Sequence, residues 1–229
     1  MKAVSGFGPA IVVVAFGSLL LPPHVVVPLS AMLDTTAGGI LFVMDPAMAE
    51  RRYWVPLAVA IVIGSVVGSL FLAAIRPETF RFVLATAIVA LGIWFLLLRT
   101  RGEEGSLSPT IPERSTAPDL AFCAAGGVLG GFLGISGPPI LWHFGRRLAK
   151  APLRRLLIPV FLAAAIARVA TYTGAELIGT PVLTAYAASL PGLLLGIVAG
   201  NKLFVRISET VFSRIVGTVL VITGVRLLL

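Results

Sequence analysis

Eight apolar segments follow one another almost without pause along this chain. They run roughly Pro9–Leu21, Val25–Met44, Tyr53–Ile75, Phe80–Leu98, Leu120–Phe144, Leu153–Thr173, Pro181–Ala199 and Val211–Leu229. A helix needs about 20 apolar residues to cross the ~30 Å hydrocarbon core of a bilayer, and most of these segments are that long. Of 229 residues, 58% are hydrophobic and 12% charged, with a mean hydropathy of +1.02. A soluble domain carries about 25% charged residues. Water could not solvate so much apolar surface, so lipid must cover it. A cleaved leader does not account for the pattern, because the apolar runs continue to Leu229. The expected fold class is all-α integral membrane.

The formal net charge of +8 invites a nucleic-acid reading. No basic stripe with interleaved aromatics accompanies it, so the charge is read as loop charge facing an anionic inner leaflet. Nucleic acid is excluded as a partner, and lipid takes its place. The single cysteine, Cys123, allows no internal disulfide.

Two segments are irregular. The first has 13 residues before Pro22-Pro23, too few to span. The fifth is interrupted at Gly134-Ile135-Ser136-Gly137-Pro138-Pro139, where two glycines and two prolines cannot continue one regular helix. Around these irregularities the two ends of the chain repeat each other. Ser5-Gly6-Phe7-Gly8-Pro9 parallels Ile135-Ser136-Gly137-Pro138; Gly64 and Gly68 parallel Gly192 and Gly196; Glu78-Thr79 parallels Glu209-Thr210; Gly92 parallels Gly224. The nearly constant offset points to an internal duplication. The chain divides into a first repeat, 1–98, a polar linker, 99–118, and a second repeat, 119–229. Apolar residues precede the break in the second half, but only Met1–Val4 precede it in the first. The first half is therefore short of one arm, because the chain is truncated at its start or because that arm is absent.

Basic residues choose the topology. If every segment spans, ten Lys and Arg fall on one side and seven on the other. If both broken segments are re-entrant, thirteen share one side: Arg51 and Arg52, the three linker arginines, the five basic residues of 146–155, and Lys202, Arg206 and Arg214. Lys2, Arg76, Arg81 and Arg226 then lie opposite, with Arg168 inside a span. The positive-inside rule prefers the second arrangement. Each repeat then holds three transmembrane helices plus one broken re-entrant segment, and the odd number of crossings inverts one repeat relative to the other. The expected location is the inner (plasma) membrane, multi-pass, with loops 99–118 and 145–155 cytoplasmic.

The breaks also carry the expected chemistry. Each is followed by a short helix opening on proline, which suits a first turn because its missing N–H is not needed there. Glycines before it leave amides uncrowded, and the positive end of the half-helix favours an anion. Ser5, Gly6, Phe7 and Gly8 from one tip and Gly134, Ile135, Ser136 and Gly137 from the other are the expected anion ligands. The competing explanation is that glycine merely lets helices approach. It is preferred for Gly64/Gly68, Gly127/Gly131, Gly130/Gly134 and Gly192/Gly196/Gly200, which have small-xxx-small spacing.

Ser5-Gly6-Phe7-Gly8 with Leu21-Pro22-Pro23-His24-Val25, then Gly131-Phe132-Leu133-Gly134-Ile135-Ser136-Gly137-Pro138-Pro139 and Gly200-Asn201-Lys202, resembles the TauE/SafE sulfite exporter family over essentially the whole chain. The glycine runs of that family are partly replaced here by Pro9-Ala10 and Pro138-Pro139. The resemblance implies a transporter, an exporter of sulfite, sulfonates or related organosulfur anions.

Two ionisable residues stand inside apolar runs, Asp34 and Arg168. A charge at the bilayer centre costs roughly 3 kcal/mol on insertion scales, so both should face the protein interior. Their depths differ by ~6 Å at the helical rise, within reach of an arginine. Either the two pair, or Arg168 binds the anion with Asp34 as proton carrier; a purely static pair is the plain alternative. His143, with Trp142, is a candidate for a pathway or gating role, and Tyr53, Trp54 and Trp94 fit an interfacial belt. An enzyme would need a nucleophile–base group or metal cluster, which two distant histidines and one cysteine do not supply. No cofactor or metal is expected. An accessory membrane subunit fits the hydropathy but leaves the paired breaks unexplained. The expected partners are a small anionic substrate and the lipid bilayer, and a homodimer is compatible with the reading.

Overall fold

The computed structural model describes residues 10–44, 50–97, 108–203 and 209–228. Those residues form nine helices and no β-strand. They are α1 (Ala10–Leu20), α2 (Pro23–Met44), α3 (Arg51–Ala74), α4 (Pro77–Leu97), α5 (Ala117–Leu133), α6 (Gly137–Phe144), α7 (Lys150–Gly174), α8 (Thr180–Leu203) and α9 (Glu209–Leu228). Five of them, α2, α3, α4, α7 and α8, are long and apolar enough to cross a membrane. Large apolar side chains point outward from these spans, as Ile63, Phe71 and Leu195 do. That is stable only where the surroundings are as apolar as the side chains themselves.

The fifth apolar segment is two helices, and they fold back on each other. Thr116 opens α5 with a capping box to Asp119, which satisfies orphan amides of the first turn. Gly134 ends it at φ 78°, a left-handed conformation that favours glycine, with its N–H on the Gly130 carbonyl at 3.0 Å. After Ile135 and Ser136 the chain re-enters helix at Gly137 with prolines in the first turn. The return is tight: a Cβ on Gly126 would strike the Ile140 side chain and lie 2.9 Å from the Ser136 carbonyl. His143 comes back beside Asp119, and Ser108 pairs with the strip around Leu148 through Ser108 N–H to Arg147 O (2.9 Å) and Ala149 N–H to Ser108 O (3.0 Å). The segment thus enters and leaves at the same end of the molecule. The first break, residues 5–9, lies outside the described residues.

Helix α3 holds the hairpin. Gly64 and Gly68 of α3 and Gly127 and Gly131 of α5 bring the two backbones so close that a Cβ at any of them would overlap a facing carbonyl. Packing is the role expected of these glycines, and here they have it. Gly192 and Gly196 on α8 do not: among the described residues nothing lies within 4 Å of a Cβ there. The spacing that seats α3 on α5 leaves α8 open, because no described helix stands where α5 would. Elsewhere α4 packs on α9, with Gly92 facing Val221 and Gly224 facing Val89.

Candidate functional site

The tip of the hairpin is surrounded by three other helices. A Cβ on Gly134 would meet the Ser30 hydroxyl at 3.0 Å, Val14 of α1 at 3.0 Å and Val27 of α2 at 3.5 Å. Leu133 and Ile135 are buried with Val14, Val26, Val27, Ala31 and Tyr172 in one apolar cluster. Into this cluster α7 sends Arg168, 2% exposed. Its Nη2 donates to an Asp34 carboxylate oxygen at 3.0 Å, and its Nη1 faces the carbonyls of Gly130 and Gly134, both at 3.4 Å. Of the alternatives left open for Asp34 and Arg168, the pair is therefore formed, and it is formed against the end of α5. One turn further along α7, the Tyr172 hydroxyl donates to the Gly131 carbonyl at 2.5 Å. Arg168 and Tyr172 together clasp the last turn of α5, whose terminal carbonyls no continuing helix can satisfy.

The second element of the tip is Ser136, the residue before α6. A Cβ on Gly130 would overlap its hydroxyl, so glycine at 130 makes the room in which it sits. Among the described residues the Ser136 Oγ and the Arg168 Nε are buried donors with no hydrogen-bond partner. Both donors lie around Gly130. Gly134, Ile135, Ser136, Gly137 and Arg168 are thus brought together with Asp34. Ser5, Gly6, Phe7 and Gly8 lie outside the described residues.

His143 is not at this tip. It sits at the other end of the hairpin, 6% exposed, with Nε2 2.6 Å from an Asp119 oxygen and its ring stacked on Phe122 at 4.4 Å. The same carboxylate accepts from the Tyr53 hydroxyl (3.2 Å), the Thr116 N–H (2.9 Å) and Arg147 Nη1 (3.3 Å). Burial alone would raise the Asp119 pKa; the hydrogen bonds from His143, Thr116 and Tyr53 outweigh it and hold the carboxyl below the usual range. Tyr53 is buried rather than part of an interfacial belt, because its hydroxyl has this inward acceptor. Sequence reasoning missed Asp119, although Thr116-x-x-Asp119 ahead of an apolar run is a cap signature. It also missed the contact between Thr36 and Tyr186, 2.7 Å between hydroxyls, which ties α2 to α8 two residues from Asp34.

One open groove, about 350 Å³, is lined by Phe71, Ala74, Ile75, Val128 and Phe132. It is almost wholly apolar and offers nothing to a charged solute. The chain matches the family model described as "Sulfite exporter TauE/SafE" over residues 1–227. Comparison with the curated proteins and with the solved structures finds no match.

Proposed function

The chain belongs to the TauE/SafE sulfite exporter family, a family of membrane transporters and not of enzymes, and on that premise we propose that its cargo is sulfite, a sulfonate or a related organosulfur anion bound at the tip of the α5–α6 hairpin. The observation that carries the proposal is Arg168. A buried guanidinium and a hydroxyl with no partner among the described residues supply donors from two directions at the opening of a half-helix, whose Pro138 and Pro139 have no N–H to add. A sulfur oxyanion, with its negative oxygens splayed around one atom, needs that arrangement. Between rounds of anion binding, Asp34 keeps the arginine compensated.

The rest of the expected plan supports the reading. Positions 92 and 224, and 89 and 221, exchange contacts across α4 and α9, as two copies related by a pseudo-two-fold axis would. The pair Asp34–Arg168 likewise joins α2 to α7, the corresponding helices of the two repeats. Val14 of α1 lies against Gly134; the Ser5–Gly8 stretch that pairs with this tip in the duplicated sequence is outside the described residues. Orientation with loops 99–118 and 145–155 in the cytoplasm, in the inner membrane, and transport outward complete the proposal.

Reconstitution tests it. Proteoliposomes should take up a labelled sulfonate saturably and sulfite should inhibit the uptake. Arg168→Gln should weaken apparent affinity by about ten- to a hundredfold, the range for hydrogen bonds to a charged group. Flux by the glutamine variant equal to wild type would remove Arg168 from the site. No flux under any gradient would favour an accessory subunit instead.

A further inference from the structure

We infer that the apolar groove beside the hairpin tip holds an acyl chain of an anionic phospholipid, with the lipid phosphate on Arg76. The inference is independent of the anion site proposed above. Helices α3 and α5 run side by side in the same direction: Gly64 faces Ala124 and Val128, and Gly68 faces Val128 and Phe132. Helix α5 stops at Leu133, but α3 continues to Ala74. The turn at Gly134 therefore leaves the last residues of α3 without α5 alongside. Phe71, Ala74 and Ile75 from this overhang, with Val128 and Phe132 below it, line the groove of about 350 Å³.

The walls and the rim select the occupant. Phe71 and Ala74 are exposed, and Ile75, Val128 and Phe132 are half-buried. Phe80 of α4 braces Phe132, with ring centroids 5.6 Å apart. Walls so apolar do not hold water, and an empty slot forfeits contacts on one side. At bilayer depth hydrocarbon fills it. The groove is at the small end of ligand pockets, roughly 300–1,000 Å³, so it takes part of one chain. Positions 128 and 132 lie about half a helical turn from Gly130 and Gly134, so the groove faces away from Arg168. At the rim, Arg76 follows Ile75 directly; it is exposed and makes no hydrogen bond or ion pair among the described residues. Arg81 donates its Nε to the Leu227 carbonyl, which brings Arg226 to the same corner. Both are exposed, and the α3–α4 turn sets one carboxylate, Glu78, against them. With the closed end of the hairpin in the cytoplasm, these cations lie on the side that the positive-inside rule depletes, so orientation does not account for them. A phosphodiester does, because its oxygens pair with a guanidinium whose stem lies along the apolar rim.

The test uses the full chain in liposomes that contain a trace of phosphatidylglycerol with a photoreactive diazirine midway along one acyl chain. After illumination, mass spectrometry maps the attached lipid. Label on residues 71–75 and 128–132 should be about tenfold denser than on Ile63 and Leu195, which face lipid elsewhere, the worth of a hydrogen bond to a charged group. Diacylglycerol with the same chain lacks the phosphate and should show no such excess, and Arg76→Gln should reduce the excess of phosphatidylglycerol. Ala74→Trp, at an exposed position, fills the groove and should clear label from Val128 and Phe132. Even label on the wild-type chain overturns the inference, because another stretch of this chain or a second copy then fills the groove. An equal excess from diacylglycerol overturns it too, because the phosphate then adds nothing. Both wild-type maps need no variant, so they decide the matter even if a variant does not fold.

Discussion

A charge inside an apolar run has few places to go, which is why Asp34 and Arg168 could be matched from the sequence. Each costs roughly 3 kcal/mol to insert alone, and their helices put them within one side-chain length. Asp119 is the counter-case. It stands at the border of the polar linker, where a carboxylate costs little, so nothing in the sequence requires it to turn inward to His143. Its burial now makes it a test of the hairpin's closed end. Asp119→Asn should lower stability by about 1–3 kcal/mol near neutral pH, the cost of weakening bonds to a buried acceptor, read as a fall in Tm in detergent. Because the folded pKa is depressed, the carboxylate's contribution is present above the ordinary carboxylate value and is lost as pH falls through the folded one. The gap in Tm between variant and wild type should therefore close in acid; a gap that widens would contradict the assignment. Ser136 gives the opposite pattern. Its hydroxyl has no partner among the described residues, so Ser136→Ala should leave Tm unchanged or raised. Its apparent KM for a sulfonate should nonetheless rise about tenfold or more, the worth of one hydrogen bond to a charged group.

At the scale of elements, the break in the fifth segment was legible because glycine and proline change the backbone whatever surrounds them. The glycine stripes were only half legible. Small-xxx-small spacing says that a backbone can come close, but not which one. Gly68 has α5 against it, and Gly196, its counterpart in the repeat, has nothing within 4 Å of a Cβ among the described residues. The same substitution should thus have two outcomes. Gly68→Ala places a methyl on the Val128 carbonyl and 2.9 Å from the Phe132 nitrogen, so α3 and α5 must part. A cost of about 1–3 kcal/mol is expected, as for other overpacked contacts. Gly196→Ala should stay within about 0.5 kcal/mol, the range of substitutions that touch nothing. Thermal unfolding of the two variants side by side checks the contrast. Equal losses would mean that α8 is packed on something in solution.

At the scale of the whole molecule, the topology rests on charge counts over many loops, a signal spread too thinly for any one residue to carry. Thirteen basic residues against four favour two re-entrant segments, against ten and seven if all eight segments cross. The described residues bear on one of the two: Asp119 and His143 meet, so the fifth segment returns to the end it came from. Ser108 and Arg147 are hydrogen-bonded neighbours at that end, and Tyr53 reaches Asp119 there from the start of α3. Helix α7 then runs 25 residues, ~37 Å at the helical rise, enough to carry Glu176 to the opposite face. Cysteine accessibility can test this cleanly, because the one native cysteine, Cys123, is fully buried and should stay silent. Thr110 and Arg146 are both exposed near the closed end of the hairpin. In intact cells, Thr110→Cys and Arg146→Cys should react only with a membrane-permeant reagent, and Glu176→Cys also with an impermeant one. If Arg146→Cys and Glu176→Cys label from the same side, α7 does not cross. If Thr110→Cys and Arg146→Cys label from opposite sides, the fifth segment spans, and the tip at Gly134 is no longer a half-helix end facing Arg168.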